Sequence, residues 1–371
     1  MLTKQRFSNI LLFISLLLSV GACNLFGWGS SPPPSLPPDA DLDSVRTAAV
    51  AAIRQKLDQQ ADAGMSGVAR LQWEDTVLIH EAYGWQDREA RRPMTLGVGF
   101  DIGSIVKAMT AATVFKLEEA GQLQTRDTVG QFFPEAPATI QNITLDQLLT
   151  HKSGLPEYLG NDYELVARTA ALDRIFNSPL RFSPGTREAY SNTGYTLLAL
   201  IIEAASGLPY EQAVREAVFI PASTPKIGYR LAGWTEDDLA IGYRGRKRWG
   251  TPFDHAWLED GPSWTLRGNG GMLATADELA QWFEAVFAGR VLGPEALTRF
   301  SELYAGTDKY GLRIGEAGGN DIFNALYEGW VDLGVHLTFI TSVSSHSAEQ
   351  VWDKIQDEVY TLAQAASQAD S

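Results

Sequence analysis

Two short patterns in this 371-residue chain carry groups capable of nucleophilic chemistry. In Phe100-Asp101-Ile102-Gly103-Ser104-Ile105-Val106-Lys107, a lysine follows a serine by three positions, so in a helix both side chains share one face. A lysine amine beside a serine hydroxyl can share or accept its proton, and a helix N-terminus favours developing negative charge. A serine at a helix start also serves as a cap. Ser223-Thr224-Pro225-Lys226 repeats the spacing, but Pro225 prevents a regular turn from presenting its ends together. The second pattern is Tyr190-Ser191-Asn192, preceded by Ser183-Pro184-Gly185. Of twelve tyrosines, Tyr190 alone has asparagine two positions later. In a turn entering a helix, Tyr190 could pass a proton near Lys107 and Asn192 could bind a substrate amide. Alone, the segment also reads as a structural turn.

These groups need elements to position them. A helix is predicted over 43–61, and two strands over 66–85 around a turn at Glu74-Asp75. A helix is expected from Ser104 to Ala120, stopped by Gly121. Thr144 and Gln147 form a capping-box pattern before a short helix ended by Gly154-Leu155-Pro156. Helices over 191–205 and from Thr275 to about 288 follow. The last third reads as strands over 310–315, 322–327 and 333–342 and a helix over 348–366. Strands at both chain ends with helices between them imply one sheet built from both termini, with an inserted helical region.

The N-terminus reads as a targeting signal over residues 1–22. Lys4 and Arg6 precede a short apolar run from Ile10 to Ala22. Leu18-Ser19-Val20-Gly21-Ala22-Cys23 resembles the lipobox of bacterial lipoproteins, which implies lipidation at Cys23 and a membrane anchor. An ordinary secretion signal with a stray cysteine is the plainer alternative. Asn24 is not the aspartate that commonly retains such proteins at an inner membrane. Residues 23–40 form the anchor and a stiff proline-rich spacer (SSPPPSLPP, 30–38), and the folded body spans 41–371. Cys23 is the only cysteine, so no intramolecular disulfide, catalytic thiolate or multi-cysteine metal site can form. A formal charge of −15 argues against nucleic acid as a partner, and Arg244, Arg246, Lys247 and Arg248 read as a solvated loop. His80, His151, His255, His336 and His346 show no metal-ligand spacing, and His151 reads as structural. No GxSxG elbow or phosphate-loop fingerprint is present. No cofactor or metal is expected, and the oligomeric state is unread.

Together the two patterns resemble the penicillin-recognising serine enzymes: the class C β-lactamase, D-alanyl-D-alanine carboxypeptidase and esterase group. The likeness extends to Leu148-Leu149-Thr150-His151-Lys152-Ser153-Gly154-Leu155-Pro156, to the segment from Gly185 to Gly207, and to the run from Gly270 to Ala280. It implies an α/β fold of the α+β type, an antiparallel sheet flanked by helices. It implies Ser104 as the acylated nucleophile, with Lys107 and Tyr190 managing protons. The oxyanion would lie between the backbone N–H groups of Ser104 and, on an edge strand, Gly319. Asn192, Glu316, Gly318 and Gly319 are expected against the substrate.

The family's third motif, Lys or His, a small residue, then Gly, falls on Gly315-Glu316-Ala317-Gly318-Gly319, with Glu316 where the basic residue is expected. An ionised Glu316 about 4 Å from a substrate carboxylate would repel it by about 1 kcal/mol in bulk-like water. It could also pair with Lys107 and hold it charged. The expectation is a hydrolase of neutral esters or amides with weak or absent β-lactamase activity. The rival is a catalytically silent envelope protein that binds wall fragments or another protein. Glu316 favours the rival; the intact Ser104, Lys107, Tyr190 and Asn192 favour the enzyme.

Overall fold

The structure, a computed structural model, describes residues 35–369. The signal segment, Cys23 and most of the proline-rich spacer lie outside them. Helix α1 (Leu42–Asp62) starts where Asp41 caps it, accepting the Ser44 N–H at 3.4 Å. Strands β1 (Gly67–Trp73) and β2 (Thr76–Tyr83) form the expected hairpin about Glu74-Asp75.

Helix α2 (Val106–Glu119) buries every side from Val106 to Phe115, Lys107 included. Each buried aliphatic side chain contributes about 1.5–3 kcal/mol, which together hold the helix against the cost of enclosing a lysine. Ser104 belongs to a 3-10 turn over Gly103–Ile105 rather than to the helix itself. Gly103, at φ +51°, sets that tighter entry. Helix α3 (Leu145–Leu149) has the capping box in place: Gln147 N–H donates to Thr144 Oγ1 at 3.2 Å and Thr144 N–H to Gln147 Oε1 at 3.1 Å. It stops earlier than the sequence implies, because His151 turns left-handed at φ +56°. Helix α4 (Arg168–Phe176) was not anticipated, while α5 (Asn192–Ser206) ends on left-handed Gly207 and α6 (Ala276–Phe287) starts at the Thr275 cap, as patterned.

Helix α7 (Pro294–Tyr304) and strand β3 (Ala305–Asp308) were also unanticipated. Strands β4 (Gly311–Gly319), β5 (Asn324–Trp330) and β6 (Val335–Thr341) follow, then helix α8 (Ala348–Ala369). The sheet order is β3-β4-β5-β6-β1-β2, antiparallel throughout, with the two chain ends joined by Gly67 opposite Thr341. Helices α1 and α8 cover one face around Ile53, Leu57, Val351 and Ile355. The larger core, with α2, α5 and α6, lies on the other. This is a helix–sheet–helix sandwich.

Two further expectations are corrected. The strand carrying Gly319 is not outermost, since β3 flanks it; but β3 pairs only as far as Ile314, so 315–319 keeps an open edge. The basic cluster is a hairpin, Gly242–Arg244 paired with Lys247–Gly250, and not a loop.

Candidate active site

Ser104 sits where the open edge of β4 meets the 3-10 turn. A Cβ on Gly103 would lie 2.1 Å from Gly319 N, and one on Gly318 would lie 2.3 Å from Ile102 O and 2.5 Å from Ser104 N. Only glycines allow this approach. Strand N–H groups alternate between the two edges. The Asn320 N–H donates to Phe323 O in the turn between β4 and β5, so the Gly319 N–H points the other way, toward the nucleophile turn that packs against it. The amides of Ser104 and Gly319 therefore border one spot above Ser104 Oγ, the arrangement needed to hold a developing oxyanion.

Lys107 Nζ donates to Ser104 Oγ at 2.9 Å and to Asn269 O at 2.8 Å. Ser104 Oγ and Tyr190 Oη lie 2.7 Å apart. Burial drives the Lys107 amine down to about 7 against the opposing pull of Asp162, Glu316 and Glu157. Burial pushes the Tyr190 phenol up, so it keeps its proton. Lys107 is thus the group able to take a proton near neutral pH, and Tyr190 the group able to relay one.

Tyr190 is gripped by His151. The Ala189 N–H donates to His151 O at 2.9 Å and the Ser191 N–H donates to His151 Nδ1 at 3.1 Å, while the two rings lie 4.8 Å apart. Accepting at Nδ1 requires the neutral ring, and burial holds its pKa down to about 3. Asn192 lines the cleft at the first position of α5, its Oδ1 enclosed and without a hydrogen-bond partner among the described residues.

Asp101 and Asn269 were missed by the sequence reading. Asp101 accepts the Gly103 N–H at 2.8 Å and the Asn320 Nδ2 at 3.2 Å, tying the nucleophile turn to the end of β4. Burial raises its carboxyl to about 6. Asn269 is held by Thr196 Oγ1 and Thr265 O and offers its carbonyl to Lys107. Only position distinguishes either from the other polar residues in the sequence.

Glu316 departs from expectation. It is buried, does not line the cleft and forms no ion pair with Lys107 among the described residues. Burial raises its carboxyl well above the usual carboxylate range, with Lys107 pulling the other way. Both members thus favour their neutral forms, and Glu316 cannot meet a substrate carboxylate. Gly319 and, behind it, Gly318 do border a cleft of about 1130 Å³ over Ser104.

The sequence profile of the Beta-lactamase family matches residues 51–331. The chain belongs to that family. Among curated family relatives, penicillin-binding protein 4* of Bacillus subtilis is 34% identical over 178 residues, 45% of this chain and 39% of the relative. Esterase EstB of Burkholderia gladioli is 29% identical over 258 residues, 60% of this chain and 65% of the esterase. The chain thus spans less than two thirds of either. A penicillin-binding protein from Bacillus halodurans superposes with a TM-score of 0.69 at 21% identity, covering 82% of this chain and 99% of that one.

Proposed function

We propose that this chain is an extracytoplasmic, lipid-anchored serine hydrolase that cleaves esters or amides through an acyl-enzyme on Ser104. The observation that carries the reading is the convergence of Lys107 Nζ and Tyr190 Oη on Ser104 Oγ, at 2.9 and 2.7 Å. Lys107 takes the serine proton as Oγ bonds to the carbonyl carbon. The negative charge moves to the carbonyl oxygen, between the amides of Ser104 and Gly319. On collapse the bond to the leaving group breaks, and the proton passes to it through Tyr190. A water then repeats the sequence on the acyl-enzyme and frees Ser104. The penicillin-binding and esterase relatives support the same chemistry.

Weak or absent β-lactamase activity follows from the third motif. Position 316 offers an enclosed carboxyl, whose charged form burial disfavours, in place of a cation that would attract a substrate carboxylate. The rival reading, a silent binding protein, drew its support from an ionised Glu316 in the cleft, and without that support hydrolysis is the reading adopted.

The test is a fluorophosphonate probe and short p-nitrophenyl esters on the mature protein, beside Ser104→Ala. Labelling and ester turnover that vanish in the variant are expected. A folded wild type that neither labels nor turns over ester overturns the proposal. The anchor rests on the lipobox-like Leu18 to Cys23. Cys23→Ser should move the protein from the membrane to the soluble fraction, and no redistribution would rule the anchor out.

A further inference from the structure

The cleft over Ser104 is electrically one-sided. Carboxylates of Asp101, Glu157, Asp162 and Asp321 line it, whereas Arg181 is the one lysine or arginine among its lining residues. Two of these carboxylates are occupied. Asp101 holds the nucleophile turn, and Asp321 pairs with Arg244 at 2.7 Å. Asp162 differs: half-buried in the wall, it has neither a hydrogen bond nor an ion pair among the described residues.

Beside these carboxylates stands an aromatic wall. Tyr163, 40% exposed, contacts Trp249 at 5.9 Å and His255 at 5.7 Å between ring centroids, and Trp249 stacks on His255 at 3.7 Å. Tyr163 and Trp249 line the same cleft as Asp101, Asp162 and Asp321, and burial together with those charges pushes the Tyr163 phenol up to about 12. The enclosed Asn192 Oδ1, on the same cleft, lacks a donor among the described residues.

A partly desolvated carboxylate without a partner is unfavourable until a cation reaches it, and aromatic faces beside it attract the same cation. The Lys107 ammonium offsets Asp162, but that offset is lost when Lys107 acts as the neutral base, and an anionic or neutral substrate would then leave Asp162 uncompensated. Resting on the acyl-enzyme reading above, we infer that the substrate carries a cationic nitrogen, held between the Asp162 carboxylate and the faces of Tyr163 and Trp249 while its ester or amide carbonyl lies on Ser104. Asp321, already shared with Arg244, adds longer-range attraction.

The test compares butyrylthiocholine with its isosteric neutral analogue, 3,3-dimethylbutyl thiobutyrate, following thiol release at low salt. The wild type should favour the cationic ester by about ten-fold in kcat/KM, a preference that salt erodes. Asp162→Asn should cut this ratio several-fold. Because Asp162 also influences Lys107, the ratio and not either rate is the readout. Equal cleavage of both esters, or a ratio unchanged by Asp162→Asn, overturns the inference and leaves the hydrolase reading standing. So does cleavage of neither by protein that still labels with fluorophosphonate. Protein that neither cleaves nor labels sinks both.

Discussion

Ser104 Oγ and Tyr190 Oη lie 2.7 Å apart although 86 positions separate them in the chain. The phenol is kept there by His151, which receives the backbone N–H on either side of the tyrosine. Burial keeps the phenol protonated, so the base in this site is the lysine that shares the same oxygen.

Lys107→Met keeps the buried stem and removes the base. Ester turnover should fall by about 10²–10⁴-fold with the circular dichroism spectrum unchanged, since a positioned general base contributes on that scale. Turnover within a few-fold of wild type would assign the proton to another group.

The rate should rise with pH through about 7, because the Lys107 ammonium cannot accept a proton and the amine can. Glu316→Gln should move this limb to lower pH and leave the plateau unchanged. When Lys107 is protonated, Glu316 can ionise and stabilise the ammonium, and glutamine cannot. A pH–rate profile of kcat/KM for both proteins checks this, and a limb that stays in place in the variant contradicts it.

Acidification should destabilise the fold through His151. Its folded pKa of about 3 lies below the unfolded 6.5, so between these values the unfolded chain binds the extra proton. The stability present above pH 6.5 is lost as pH falls, by about 2 kcal/mol at pH 5 from this residue alone. His336, lowered to about 4 by burial, acts in the same direction. His151→Asn, which keeps an acceptor and tolerates the left-handed backbone, should flatten the fall between pH 6.5 and 5 in urea titrations.

Gly318→Ala should cost both activity and stability. The new methyl would stand 2.5 Å from Ser104 N, so β4 must retreat and carry the Gly319 amide with it. Losing one oxyanion donor lowers kcat by about 10²–10³-fold. A fully active alanine variant would mean that the oxyanion lies elsewhere.

The sequence by itself determined most of the long elements and singled out Ser104 as the candidate nucleophile, while α4, α7 and β3 escaped it. Apolar runs bounded by turns near both ends marked sheet strands, the Thr144 and Thr275 patterns marked helix starts, and the 104, 107, 190 and 192 spacings picked out residues that the fold brings together: Ser104, Tyr190 and Asn192 line one cleft, and Lys107 Nζ reaches Ser104 Oγ. These are local properties, set by a few neighbouring side chains. What only the tertiary structure decided is the environment of each charge. Glu316 reads as an ionised obstacle in the motif, but packing encloses it and disfavours its charged form. Asp101 and Asn269 look like any polar residues until the end of β4 brings Asn320 to Asp101 and the turn before α6 carries Asn269 to Lys107. Protonation depends on burial and on groups distant in the chain, and spacing along a sequence carries neither.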